Sequence, residues 1–499
     1  MFYVRTVRTA SSSTAVQVIR YQHRTRIVVK HIGSAHNPEE LLSLKQTAHK
    51  WIDQATRQQR LFPSKKKKNS TLIPIDKLRN LGFRYSFAYE TITKLFHLLQ
   101  FSHRNNRLLL DLVMIRIIQP ASKLESLELL SDFFGIKHQR ATFYRSIPTI
   151  ISLKEIVEKK AIAFATKQLA FNFSIVFYDV TTLYFESFKE DGEAFRKSGF
   201  SKDNKSNQPQ IVIGLIVTKE GFPVSYEVFA GNTFEGKTFI PTITKFKETY
   251  QIKNLTVVAD AAMISLQNVQ KLVENNLSYI VGARTASIKL DQIKQINKEL
   301  HQVDGNSTRV ETERGLLICD FSLKRYQKDK REMDKQIAKA EKLLADNKAL
   351  KRTKFIKNKS NATQILNAAL IKKTKFLLGI KGYYTNLTDE TNETIINHYH
   401  NLWHIEQAFR IAKSDLAMRP IYHFKKQTIE AHILICFMAL TVCKYIELKT
   451  GKSTKAIIKL LKKVTDARIL NTLTNEEIII RSEISTETQQ LLNAQSLPH

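Results

Sequence analysis

The stretch Ser174–Phe185, SIVFYDVTTLYF, decides how this chain is read. β-Branched and aromatic residues dominate it, which predicts a strand. Asp179 stands in its middle with apolar residues on both sides, where an ionised carboxylate loses hydration and needs compensation. The situation recurs in LTVVADA (Leu255–Ala261), where Asp260 closes a second strand. Between them lie two more strand patterns, QIVIGLIVT (Gln210–Thr218) and PVSYEVFAG (Pro223–Gly231), joined by a tight turn at Lys219-Glu220-Gly221. A helical pattern spans Lys237 to Tyr250, another Ser265 to Asn275, and SYIVGAR (Ser278–Arg284) is a last strand. The order is therefore three antiparallel strands, helix, strand, helix, strand.

That is the order of an RNase-H-like core: an α/β fold with a mixed five-stranded sheet and flanking helices, still missing its final helix. The missing helix is expected from about Glu393 to Asp415. Residues 285 to 380 separate it from the core and read as a β-rich insertion. The insertion carries a charged helix, roughly Lys328 to Lys351, with the apolar stripe Met333, Ile337, Ala340 and Leu344. The chain thus divides into six segments. A mixed β/α segment covers 1–75, a helical module expected to bind DNA covers 76–170, and the first part of the core covers 171–284. The insertion over 285–380, the remainder of the core over 381–446 and a C-terminal helical tail over 447–499 complete the chain. Within the first segment TAVQVIRYQ and RTRIVVKHI read as strands, Leu41–Trp51 as a helix and Lys65–Lys68 as an exposed basic loop.

Lys and Arg number 78 against 46 Asp and Glu, a formal charge of +32 over 499 residues. A surplus of that size repels itself unless a polyanion neutralises it, and nucleic acid is the leading candidate. Cys319, Cys436 and Cys443 show neither metal spacing nor a pairing framework, which points to a reducing compartment. The N-terminus lacks the apolar run of a signal peptide. AHILICFMALTVCKY (Ala431–Tyr445) is too short and too interrupted to span a bilayer and reads as a buried helix. A soluble cytoplasmic, nucleoid-associated protein with no membrane partner is expected.

In this strand order the first and fourth strands are neighbours, so Asp179 and Asp260 can converge on one cation. Either alone is weak, because strand-end Asp residues commonly cap the next turn. On an uninterrupted helix Tyr399, Glu406 and Lys413 fall at heptad steps on one face, with Arg410 one turn beyond Glu406. The bland alternative is an i,i+4 ion pair between Glu406 and Arg410. With two strand-borne Asp residues alongside, Glu406 is instead expected to be a metal ligand flanked by phosphate-binding cations. Asp179, Asp260 and Glu406 are then the catalytic, metal-holding set, and Tyr399, Arg410 and Lys413 the DNA-binding set. Oxygen-only ligation suits Mg²⁺ or Mn²⁺, and two ions about 4 Å apart support in-line displacement at phosphorus. His398, His400 and His404 lack zinc spacing and read as surface or packing residues. Lys202 and Asp203 read as a solvated polar loop, with substrate contact second.

These residues resemble the DDE insertion-sequence transposases of the branch marked Tyr-x2-Arg-x3-Glu-x6-Lys. Tyr399, Glu406 and Lys413 stand at that spacing in YHNLWHIEQAFRIAK, while Leu402 occupies the Arg position. YDVTTLYFES, GFSKDNKSNQPQIVIGLIV, GFPVSYEVFAGNTFE, VVADAAMIS and RPIYHFKKQTIEAHILICFMAL strengthen the likeness, which covers roughly Ile175 to Lys444. The resemblance implies a transposase that recognises terminal inverted repeats of double-stranded DNA through its N-terminal region. It further implies assembly as a homodimer or higher multimer, cleavage of the element ends and transfer of 3′-hydroxyl ends into target DNA. Two alternatives stand beside it: an RNase-H-like nuclease or resolvase that never joins ends, and a DNA-binding protein descended from a transposase whose catalysis has decayed.

Overall fold

In the computed structural model the described residues are 2–10, 12–22, 25–56, 75–101, 107–187, 189, 195–205, 207–345, 353–358 and 364–494. The basic run Lys65–Lys68, and residues 346–351 at the end of the expected charged helix, lie outside them. The chain forms two compact units, one from 1–91, 129–136 and 459–492, the other from 92–128, 137–458 and 493–499.

In the first unit, Phe2–Arg8, Thr14–Gln22 and Thr25–Ala35 form an antiparallel sheet covered by the helix Pro38–Thr56. Val16, Val18, Ile32, Leu44 and Ala48 fill the space between them. A second sheet joins Leu78–Arg84 to Asp466–Asn471 and Glu476–Arg481. The expectation of a helical C-terminal tail is corrected here, since residues 466–481 form a β-hairpin and only Thr486–Ala494 beyond it is helical. ARILNTLTNEEIII carries strand propensity on both sides of a turn, and Leu78–Arg84 satisfies the open edge of Asp466–Asn471. Residues 78–84 are thus a strand as well, ahead of the helices expected from 76 onward.

The second unit is built on a mixed sheet of eight strands. We label them β1 (Ile175–Tyr184), β2 (Gln210–Val217), β3 (Pro223–Ala230), β4 (Thr256–Ala259), β5 (Ser278–Gly282), β6 (Ser307–Thr312), β7 (Gly315–Phe321) and β8 (Ile380–Thr385). Their order across the sheet is β6-β7-β8-β5-β4-β1-β2-β3. β1, β2 and β3 are antiparallel neighbours, whereas β1, β4 and β5 run parallel. β2 is buried along its whole length, which explains its unbroken apolar run.

The sheet has eight strands instead of the expected five, and the stretch 285–380 is not the β-rich insertion expected, since the helices Leu290–Leu300, Leu323–Ala345 and Ala368–Phe376 outweigh its short strands. β8 pairs antiparallel with β5, and β7 and β6 continue outward. Without them β5 would be an edge with unpaired backbone groups, so strands from the 285–385 stretch extend the sheet across it. The charged helix runs from Leu323 to Ala345, and Met333 and Ala340 on its stripe pack with Phe355 and Leu378.

Five helices position the site and its surroundings: α1 (Arg107–Ile118), α2 (Lys123–Phe134), α3 (Asn392–His400), α4 (Trp403–Arg410) and α5 (Lys426–Thr450). α5 is long and apolar enough to cross a membrane, but 94% of its most apolar window is buried inside the protein. It packs on β3 and α1, with the Tyr226 and Phe437 rings 5.0 Å apart. The three cysteines are free and buried.

Candidate active site

β1 continues five residues past Asp179, whereas its parallel neighbour β4 ends at Ala259. The register Tyr178↔Ala259 therefore sets Asp179 and Asp260 side by side, Asp179 facing the notch where its neighbour stops. The Asp179 side chain is 15% exposed. Burial pushes its carboxyl up to about 7; Lys202 and the Val180 N–H oppose the rise, and Asp260 and Glu235 add to it. Asp260 is exposed and accepts the Ala261 N–H at 2.7 Å, so it does cap the adjoining turn. The same oxygen, Oδ1, accepts the Tyr399 hydroxyl at 3.3 Å.

Tyr399 lies on α3, buried, with its ring 4.7 Å from that of Tyr383 on β8. Its hydroxyl comes so close to Gly282 at the end of β5 that a Cβ there would fall 2.4 Å from it. Gly282 thus holds open the approach of Tyr399 to Asp260. Burial raises the Tyr399 hydroxyl pKa, reinforced by Asp260, Glu406 and Asp179. All three candidate carboxylates therefore act on one phenol.

The helix expected to run unbroken to Asp415 is in three pieces. α3 ends at His400, α4 begins at Trp403, and Ile411–Asp415 is a π-helical turn. Leu402 sits at the first break and is buried. A wide turn rotates the residues beyond it relative to 100° per residue, and Lys413 reaches Asp203 at 3.2 Å. Glu406 is exposed on α4, and no ion pair joins it to Arg410 among the described residues. Arg410 is exposed and its charge acts on Asp415. Tyr399, Asp260, Asp179 and Glu406 are thus brought into one neighbourhood, while Lys413 and Arg410 are directed to other carboxylates.

Lys202 and Asp203 lie in a turn, Lys202 exposed and Asp203 partly buried, and both are engaged by other side chains. Lys202 Nζ donates to the Val180 carbonyl at 2.7 Å and pairs with Glu235 at 3.0 Å, 4.0 Å from Asp179. Asp203 holds both Lys413 and Arg419. Sequence reasoning also missed Lys381 on β8, whose ammonium stands 4.7 Å from the Tyr399 ring centre and 5.5 Å from that of Tyr383. Burial lowers its pKa, as does Arg325, while Asp320, Asp260 and Glu406 pull the other way. Nothing local in IKGYYT signals this role, because the contact depends on β8 joining the sheet beside β5.

As a donor set the carboxylates offer only oxygen, which fits hard divalent ions. Asp179 and Asp260, neighbours by strand register, supply two such donors. Among the described residues, however, no three His, Cys, Asp or Glu lie close enough to hold a single ion.

A family model for the transposase DDE domain matches residues 171–442, more than half of the chain. The chain belongs to the transposase DDE domain family. The matched span holds all eight strands, both Asp residues and Glu406. No curated protein matches the sequence. Among solved structures, the piggyBac transposase synaptic complex with hairpin DNA is similar at 12% identity, with a TM-score of 0.36 over 90% of this chain and 82% of that one. The Mos1 transposase paired-end complex with the left transposon end is similar at 11% identity, with a TM-score of 0.16 over 47% and 66%. The DDE domain of this chain is thus a mixed α/β unit whose acidic side chains gather where β4 ends beside β1.

Proposed function

We propose that this transposase is encoded by an insertion sequence of the Tyr-x2-Arg-x3-Glu-x6-Lys branch and cuts and joins double-stranded DNA. The observation that carries the reading is the parallel register placing Asp179 beside Asp260, with Tyr399, on the helix just before that of Glu406, bonded to Asp260. On this reading β1–β5 are an RNase-H-like core, and residues 285–380 are an insertion that adds β6 and β7 to it. The protein works in the cytoplasm on the nucleoid and assembles at the paired ends as a dimer or higher multimer.

Asp179, Asp260 and Glu406 would hold the divalent ions, Mg²⁺ or Mn²⁺. Bound there, the ions supply charge stabilisation for in-line displacement at phosphorus. Asp179 contributes a buried carboxylate whose ionised form is costly without a cation, so the site favours cation capture. Tyr399 orients Asp260 through its hydroxyl. Lys202, anchored by Glu235 and the Val180 carbonyl, limits the negative charge beside Asp179. Lys381 provides a cation on the phosphate-facing side, where Leu402 cannot.

Cleavage of the cognate element ends in Mg²⁺ tests this. Wild type is expected to nick the ends and to join pre-cleaved 3′-hydroxyl ends to target DNA, and Glu406→Gln to lose both while still binding the ends. Nicking by Glu406→Gln at the wild-type rate would remove Glu406 from the active site. Nicking without joining would favour the nuclease reading.

A further inference from the structure

A second group of cations lies away from the acidic site, in a cavity of about 440 Å³ between α1, the start of α2, the segment 417–423 and α5. Arg116, Lys123 and His432 on its wall are 3%, 4% and 4% exposed. Ser122, Arg419, Tyr422 and His423 also line it, and the carboxylate of the lining, Glu125, belongs to an exposed residue. The volume falls within the roughly 300–1,000 Å³ usual for ligand sites.

Arg116 is permanently charged. Its guanidinium donates to the carbonyls of Ala121, Ala417 and Leu416, but Nε is buried with no partner. Arg419 Nε is likewise buried without a partner, while its Nη2 pairs with Asp203 at 3.4 Å. His432 Nε2 lies 3.0 Å from the Met418 carbonyl, which can only accept, so Nε2 carries the ring proton. Burial, followed by Lys123 and Arg116, keeps that ring neutral. Nδ1 then accepts from Lys123 Nζ at 3.1 Å, which leaves the remaining N–H of Lys123 for a further partner. Burial, followed by Arg116, pushes the Lys123 pKa well below its ordinary value, and burial, followed by Lys123 and Arg116, pushes that of His423 down to about 3.

Buried cations without a counter-charge are costly and are ordinarily paired. Among the described residues Arg116 meets carbonyls but no carboxylate, burial holds Lys123 toward its neutral amine, and an anion in the cavity beside them would supply the counter-charge both lack. The cavity also receives the N-terminal end of α2, whose backbone dipole favours an anion. We propose that this cavity binds a phosphate group, held by Lys123, Arg116 and Arg419, as a second anion site distinct from the acidic site. The phosphate belongs either to a nucleic-acid backbone or to a free phosphate anion.

The test is thermal unfolding of the full chain against inorganic phosphate at constant ionic strength, with chloride as the control salt. Wild type should gain melting temperature in phosphate. Lys123→Met should bind phosphate at least tenfold more weakly, yet melt in chloride at or above the wild-type temperature, because it replaces a buried amine with no counter-charge by an apolar side chain of similar length. A purely structural role for Lys123 would lower that temperature instead. Arg419→Gln, at the cavity mouth, should weaken the phosphate response without altering the buried network. Displacement of phosphate by duplex DNA assigns the site to the nucleic-acid backbone, and lack of displacement to the free anion. A wild-type response no larger than in chloride, or an undiminished response in both variants, overturns the proposal. Since the readout involves no DNA cleavage, it fails or succeeds independently of the proposed cutting and joining of DNA.

Discussion

Replacing Asp179 by Asn keeps the shape of the side chain and removes its charge. The folded carboxyl titrates at about 7 against an ordinary 3.8. At about 1.36 kcal/mol per pH unit, the ionised form is disfavoured by about 4 kcal/mol relative to the unfolded chain. That figure is an upper one, since the side chain keeps 15% exposure. The raised value fixes the sign. Below about pH 4 the group is protonated in both states and costs nothing; above about pH 7 it is ionised in both and the folded state bears the full cost. Metal-free wild type should therefore lose stability relative to Asp179→Asn as pH rises from 4 to 8, with most of the change between 5 and 7. Lys202 is not orphaned by the substitution, because Glu235 and the Val180 carbonyl still hold it. Thermal unfolding of both proteins in chelator at pH 4.5 and 8 measures the difference. Adding Mg²⁺ at pH 8 should raise the melting temperature of wild type and leave the variant unchanged. An Asp179→Asn protein that is less stable than wild type at pH 8 without metal would refute the account of a strained, cation-seeking carboxylate.

Two further outcomes rest on particular contacts. Lys381→Met should weaken binding of the element ends by about tenfold, the worth of one charge-assisted phosphate contact, and reduce the salt slope of binding by about one. Lys381→Arg should recover the slope, and an unchanged slope in the Met variant would remove Lys381 from the DNA. In the first unit Arg481 holds the buried Asp466 through two hydrogen bonds and Glu90 through two more. The Arg481 hydrogen bonds hold the Asp466 carboxyl below its ordinary range, so the pair stabilises at neutral pH, and that contribution is lost as pH falls below about 4. Arg481→Ala should cost about 2 kcal/mol at pH 7, discounted for the 37% exposure of Arg481, and converge on wild type near pH 3 in unfolding experiments.

Local pattern made much of this protein legible. Period and β-branched content located β1 to β5 to within a few residues, because each is a short apolar run bounded by turns. Asp179 and Asp260 stood out for the same reason: carboxylates in such runs need an explanation. The buried character of α5 was readable from its composition. β8 was harder, since IKGYYT carries a Gly and a Lys and becomes a strand by pairing with β5 and β7. The hairpin at 466–481 likewise depends on a strand almost 400 residues earlier in the chain. The break at Asn401-Leu402 left no mark in the heptad spacing, which presumed an unbroken helix.

Sequence by itself picked out the candidates: Asp179 and Asp260 in apolar strands, Glu406 on a helix, and a large cationic excess. Tertiary structure alone decided which cations meet which acids. Lys413, expected on the DNA, is held by Asp203; Lys202, expected in solvent, stands by Asp179; Lys381, unnoticed, stands over Tyr399. Each pairing joins segments far apart in the chain, and charge attracts without regard to sequence separation. The partners are therefore set by strand register and helix breaks, which no local pattern carries.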